Sequence, residues 1–284
     1  MAEYSDILVE EDGPVALVTF NRPDKLNSMG GSMMDDLIHY LGTLNSGEYR
    51  IRAVVLTGSG RAFCAGGDID LDAIPVAAMT PWQYRRNVAR YAAPILKITE
   101  IGPPVIAAIN GVAVGGGWDL ALACDIRVAA RSARFRDAYV QLGVLPELGG
   151  TYFLPRLAGL GRAKMISFTG DFVGAEQALE LGLVDELVED SELDQAVGAL
   201  AAKIARGPAK AIAMTKLAMN RSATLSLRDS LDYAQSLTPA LLASADFREA
   251  LAAFTERRPP VFQPPDPEPA AAAQQTAGET AGEP

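Results

Sequence analysis

The run VIAAINGVAVGGGWDLALAC, residues 105–124, decides the fold class because it changes character along its length. Its first part, VIAAIN, is apolar and β-rich, as expected of a strand buried on both faces. Gly115, Gly116 and Gly117 then interrupt it, and LALAC follows with helical spacing. Peptide N–H groups at a helix start have no partner within the helix and lie at the positive end of its dipole. They therefore suit a developing oxyanion, and three glycines permit close approach. The alternative is tight packing of the helix on the sheet. A dinucleotide fingerprint is excluded, because G-x-G-x-x-G spacing fails at Leu120, and no G-K-[ST] follows to make a phosphate loop.

A second glycine pair lies upstream in RAFCAGGDID, residues 61–70, after the apolar run AVVLTG. Gly66 and Gly67 let backbone N–H groups turn toward a ligand, or they make a plain strand-exit turn. Asp68 reads there as a loop or helix cap. Other β-rich runs occupy 7–9, 15–20, 54–57 and 126–129, and amphipathic spacing predicts helices over 32–44 and 82–99. Strand and helix in this rhythm predict an α/β fold. Beyond residue 175 helical patterns dominate, over 193–205, 209–219 and 225–253, with a short strand-like run at 183–188. We divide the chain into a core at 1–200, a helical region at 201–258 and a tail at 259–284. The tail is too rich in Pro, Ala, Gln, Gly and Glu to bury a core, and is expected to be disordered.

A third segment, residues 133–151, carries Glu147 between Pro146 and the pair Gly149-Gly150. Apolar neighbours there would raise a carboxyl pKa toward the range of general acid–base work. A solvated loop glutamate is the alternative.

The chain has 284 residues and a formal net charge of −10, which disfavours nucleic acid and anionic lipid as partners. Its two cysteines, Cys64 and Cys124, have no CxxC spacing, so neither a disulfide framework nor a metal site is expected, and a cytoplasmic location fits. The acidic N-terminus shows no secretory signal, and no apolar run is long enough to span a membrane. His39, the only histidine, falls within an amphipathic helix and is expected on the surface or in packing, which leaves a histidine triad without support. Trp118 either lines a pocket or belongs to the core.

The order and spacing of the three segments, with Asn21-Arg22-Pro23 through Asn27 near the start, resemble the crotonase, or enoyl-CoA hydratase/isomerase, superfamily. The resemblance covers residues 4–254. It implies a spiral of ββα units followed by helices that build trimers, often paired into hexamers. It also implies an acyl-CoA substrate, with coenzyme A as part of that substrate and no metal or redox cofactor. By matching position, the N–H groups of Gly67 and Gly116 would hold the thioester oxygen. Lys25 and Leu26 would lie along the CoA, and Ala65, Asp68 and Ile69 near its adenine and pantetheine, although Lys25 also reads as a solvated loop lysine.

Hydratases of that family activate water with two glutamates, and the matching positions here are Asp119 and Tyr139. Tyrosine does not exchange a proton easily near neutral pH. Several isomerases of the family instead carry an acid where Glu147 stands. The resemblance thus favours double-bond isomerisation with Glu147 as proton shuttle, Asp119 as a second acid and Tyr139 shaping the pocket. Hydration through Asp119 and Glu147 is the enzymatic alternative, and a non-catalytic acyl-CoA binder or scaffold is the alternative of another class.

Overall fold

The computed structural model describes residues 4–44, 50–68 and 78–262. Its largest sheet has six strands in the order β1 (Ile7–Asp12), β2 (Val15–Phe20), β3 (Ala53–Gly58), β5 (Val105–Ile109), β7 (Ile126–Ala130) and β10 (Glu186–Val188). The β1–β2 pair is an antiparallel hairpin, and all later neighbours are parallel.

A second sheet contains β4 (Ala62–Cys64), β6 (Val112–Val114), β8 (Arg134–Arg136) and β9 (Phe172–Gly174), in that order. The chain alternates between the sheets: β3 leads to β4, β5 to β6, and β7 to β8. Each round adds one strand to both sheets, so the spiral of ββα units expected from the resemblance is present.

Side-chain alternation explains how the large sheet is covered on both faces. Val54, Leu56, Val105, Ala107 and Ile109 join the main core with Phe20, Phe63 and Leu120. Ala53, Val55, Ile106, Ala108 and Val128 point the other way, onto Leu193, Val197 and Ala201. Those last three belong to the helix Leu193–Ala205. Trp118 is buried in the main core, 5.6 Å from Phe135 between ring centroids, so it is a packing residue.

Helix α1 (Met33–Thr43) buries Met33, Met34, Leu37, Tyr40 and Leu41, as its spacing predicts. Helix α2 (Pro81–Glu100) starts in a capping box: the Thr80 hydroxyl accepts from the Gln83 N–H, and the Gln83 side chain accepts from the Thr80 N–H. Helix α3 (Gly116–Ala123) is short and wholly buried.

Two readings of the sequence need correction. The glycine loops do not leave the large sheet directly, because three-residue strands β4 and β6 intervene. The single helix expected over 225–253 is two, Leu227–Leu242 and Ala245–Glu256, and Ser244 caps the second by accepting from the Phe247 N–H. Most of the tail, from residue 263 on, lies outside the described residues.

Candidate active site

Strand pairing brings the three sequence segments together. Parallel strands β4, β6 and β8 end side by side, with Cys64 opposite Ala113 and Val114 opposite Arg136. The loops that follow them carry Gly66-Gly67, Gly115-Gly116 and Tyr139, and so they stack in the same order. The Gly115 N–H donates to the Arg136 carbonyl at 2.9 Å, tying the second loop to the third.

The first two loops approach too closely for side chains. Gly66 has φ +89°, and a Cβ there would lie 2.6 Å from the Val114 carbonyl oxygen and 3.4 Å from the Gly116 nitrogen. A Cβ on Gly117 would meet the Cys64 carbonyl oxygen at 2.2 Å, so the start of α3 is pressed onto β4. A Cβ on Gly67 would meet nothing within 4 Å, so its outer side is open.

Gly67 forms an isolated parallel bridge with Met29. The bridge uses neighbouring peptides, with the Met29 N–H donating to Gly66 and the Asp68 N–H donating to Met29. The Gly67 N–H is left over, and among the described residues it has no acceptor. Gly116 is the first residue of α3, so its N–H has no partner within the helix. Two N–H donors without a backbone acceptor among the described residues thus stand on adjacent loops, one of them at a helix N-terminus.

Asp119 lies in the first turn of α3 and is 3 % exposed. Tyr139 donates its hydroxyl hydrogen to the Asp119 Oδ2 at 2.7 Å. Burial pushes the Asp119 carboxyl up to about 7, against the opposing pull of the Tyr139 hydroxyl, while the buried Asp137 pushes it further up. The Tyr139 phenol is raised well above its ordinary value, first by burial and then by Asp119, so it remains a donor.

Glu147 differs from its expected environment. The loop around it runs over the surface, with Leu142 62 % and Leu145 63 % exposed, and the Glu147 side chain is exposed too. Its carboxylate accepts a hydrogen bond from Tyr84 on α2. The buried acid of the site is Asp119. The residues after Glu147 nevertheless fold back onto the glycine loop: a Cβ on Gly116 would meet Leu148 Cδ1 at 2.9 Å, and one on Gly150 would meet Asp119 Oδ1 at 2.7 Å. Glu147 also contributes to raising the Tyr139 phenol, as expected of a nearby negative charge.

On the other side of the Gly66-Gly67 loop, the Ala65 N–H donates to the Leu26 carbonyl at 3.0 Å, which places Lys25 and Leu26 beside Ala65. Lys25 is exposed. Asp68 is buried, and its carboxylate accepts from Arg22 at 2.8 Å. Arg22 in turn donates to the Ser28 carbonyl, and the Asn27 amide donates to the carbonyls of Ser59 and Ala62. The stretch 21–27 is thereby a brace behind the first loop. Asp68 is engaged in that brace through its side chain, and Ile69 lies outside the described residues.

Tyr84, Arg22 and Asp137 were not singled out as site residues from the sequence. A tyrosine on an amphipathic helix carries no local mark of a partner 63 positions away. His39 is exposed and exchanges a hydrogen bond with the Tyr4 hydroxyl, in keeping with a surface role.

Stacked glycine loops on a ββα spiral, with N–H donors at their turns and Asp119 and Tyr139 beside them, are the arrangement of a crotonase-type enzyme. The chain belongs to the enoyl-CoA hydratase/isomerase family, whose model matches residues 10–265. It is 34 % identical over 257 residues to the short-chain-enoyl-CoA hydratase of Clostridium acetobutylicum, covering 90 % of this chain and 97 % of that one. It is 37 % identical over 257 residues to the 1,2-epoxyphenylacetyl-CoA isomerase of Escherichia coli, again covering 90 % and 97 %. Among solved structures, the enoyl-CoA hydratase of Bacillus anthracis superposes with a TM-score of 0.85 at 35 % identity, covering 91 % of this chain and 99 % of that one. Among the described residues, no helix is long and apolar enough to cross a membrane.

Proposed function

We propose that the enzyme moves a double bond in an acyl-CoA, converting a 3-enoyl to a 2-enoyl thioester, with Glu147 as the proton shuttle. The observation that carries this reading is the Tyr139–Asp119 hydrogen bond. An oxygen of the buried acid is already occupied by a phenol, where a two-carboxylate hydratase needs a second acid and a water. Glu147 is then the acid open to a substrate beside Gly116.

In this scheme Glu147 takes the proton from C2, the C–H electrons form a C1–C2 double bond, and the carbonyl π electrons move onto the thioester oxygen to give a dienolate. The N–H groups of Gly67 and Gly116 hold that oxygen, each opposing the developing charge by about 3 kcal/mol. Return of the proton to C4 regenerates the carbonyl and leaves the double bond at C2. Asp119 orients Tyr139, and Tyr139 closes the pocket wall. Lys25, Leu26 and Ala65, with the backbone of Asp68, lie along the CoA.

Glu147→Gln is expected to abolish conversion of 3-enoyl-CoA while CoA-ester binding, measured by calorimetry, survives. Unchanged turnover in that variant removes Glu147 from the mechanism.

Hydration of 2-enoyl-CoA by Asp119 with Glu147 is the second reading, favoured by an Asp119 carboxyl poised at about 7. Solvent oxygen appearing in a 3-hydroxyacyl product would decide for it.

The assembly that fits is a homotrimer, or two trimers paired. The helix Leu227–Leu242 buries no residue in the single chain, and Leu227 and Phe254 are 77 % and 85 % exposed. An apolar groove of about 1200 Å³ between α2, residues 147–157 and the helix Ala209–Ser222 is similarly uncovered, and it reaches the site only at residues 147–149. A sedimentation mass equal to one chain would refute this.

A further inference from the structure

We infer that Tyr84 is a positioning residue for the reaction, fixing one oxygen of the Glu147 carboxylate so that the other faces the substrate. The inference rests on Glu147 as proton shuttle. Glu147 is exposed on a surface loop, and a shuttle that must take a proton from one carbon and return it to another needs a defined place.

The structure supplies that place from outside the loop. Tyr84 stands in the first turn of α2 and donates to Glu147 Oε1. The helix is anchored in three ways. The Thr80–Gln83 capping box closes its first turn. Ile95 and Ile98 bury its far half in the core. Arg90 reaches across to the Gly31 carbonyl at 2.7 Å and to Asp35 on α1. A hydroxyl on such a helix is a fixed point against which a mobile carboxylate can be set. Burial, then Glu147 itself, pushes the Tyr84 phenol up to about 12, so it is a donor throughout the neutral range. With Oε1 engaged, Oε2 is the atom left for proton transfer.

Tyr84→Phe keeps the ring and removes only the hydroxyl. In the full-length enzyme with a 3-enoyl-CoA substrate, we expect kcat to fall about tenfold with KM within twofold, the scale of one hydrogen bond to a charged group. Added to Glu147→Gln, the same change is expected to have no further effect.

Titration of the Tyr84 ring by carbon NMR gives a readout that does not depend on turnover. Its ionisation should move to lower pH in Glu147→Gln, since the neighbouring negative charge is gone. Wild-type kcat in Tyr84→Phe overturns the inference while leaving Glu147 as shuttle. A raised KM at unchanged kcat also overturns it, assigning Tyr84 to substrate contact. A Tyr84 titration indifferent to Glu147→Gln overturns the contact itself. Full activity in Glu147→Gln alone is the separate result that brings down the shuttle reading, and this inference with it.

Discussion

Tyr139 and Asp119, twenty positions apart, share one hydrogen bond of 2.7 Å, and the phenol is its donor. The bond ties the loop after β8 to the first turn of α3, directly behind Gly116. It gives Asp119 a structural role between the two segments.

Tyr139→Phe should destabilise the fold by about 1–3 kcal/mol, because a buried carboxyl loses its side-chain donor and keeps only the backbone N–H groups of Leu148 and Gly150. Urea denaturation measures this. Turnover should fall far less than in Glu147→Gln, and comparable losses in the two variants would make Tyr139 a participant in the chemistry.

The elevated Asp119 pKa has a consequence for stability. Its carboxyl is raised from 3.8 to about 7 in the folded chain, so between those values the folded state holds a proton that the unfolded chain has released. The associated stability is fully present below pH 3.8 and is lost as pH rises through about 7. Asp119→Asn, which cannot ionise, is expected to flatten that part of the curve of unfolding free energy against pH. A slope identical to the parent's would place the buried proton elsewhere.

The glycines separate fold from chemistry. Gly117→Ala drives a Cβ to 2.2 Å from the Cys64 carbonyl oxygen, a backbone atom that cannot rotate away, so loss of several kcal/mol and poor folding are expected. Gly67→Ala meets nothing within 4 Å and should fold with a Tm near the parent's, while kcat falls by an order of magnitude or more as the methyl enters the open side of the loop. Undiminished turnover in Gly67→Ala would argue that the substrate does not approach there.

Arg22 and Asp68 form a buried ion pair at 2.8 Å. Arg22→Ala leaves Asp68, 3 % exposed, without its countercharge and is expected to cost about 3–5 kcal/mol. Asp68→Asn should cost less, since the amide oxygen still accepts. The order of the two melting temperatures checks this.

The candidate site was legible through the order and spacing of three segments rather than through any one glycine pair, and α1 and α2 appear nearly where their spacing places them. What escaped is short or distant. Strands β4, β6, β8 and β9 have three residues each, too few for a period to show, yet they aim the loops. The break at Ala243-Ser244 hides in a stretch of helix-forming residues with no Gly or Pro at the junction. Glu147 lies outside the apolar setting expected for it because chain adjacency is not spatial adjacency: Leu142, Val144 and Leu145 face outward with it, while Leu148 turns in toward Gly116. The Tyr84 and Arg22 contacts bridge 63 and 46 positions, distances over which a single sequence carries no pairing information.

The stacking of three loops on three paired strands separates tasks that most sites combine. The register of β4 with β6 sets the two glycine loops side by side, while the carboxyl and phenol groups sit on the next loop, on α3 and on α2. Under the proposed mechanism, substitution of those acids leaves the loops that would hold the carbonyl oxygen intact. A lineage built on this plan can explore new reactions from a position of retained reactivity, since even an early variant with a poorly placed acid still polarises its thioester.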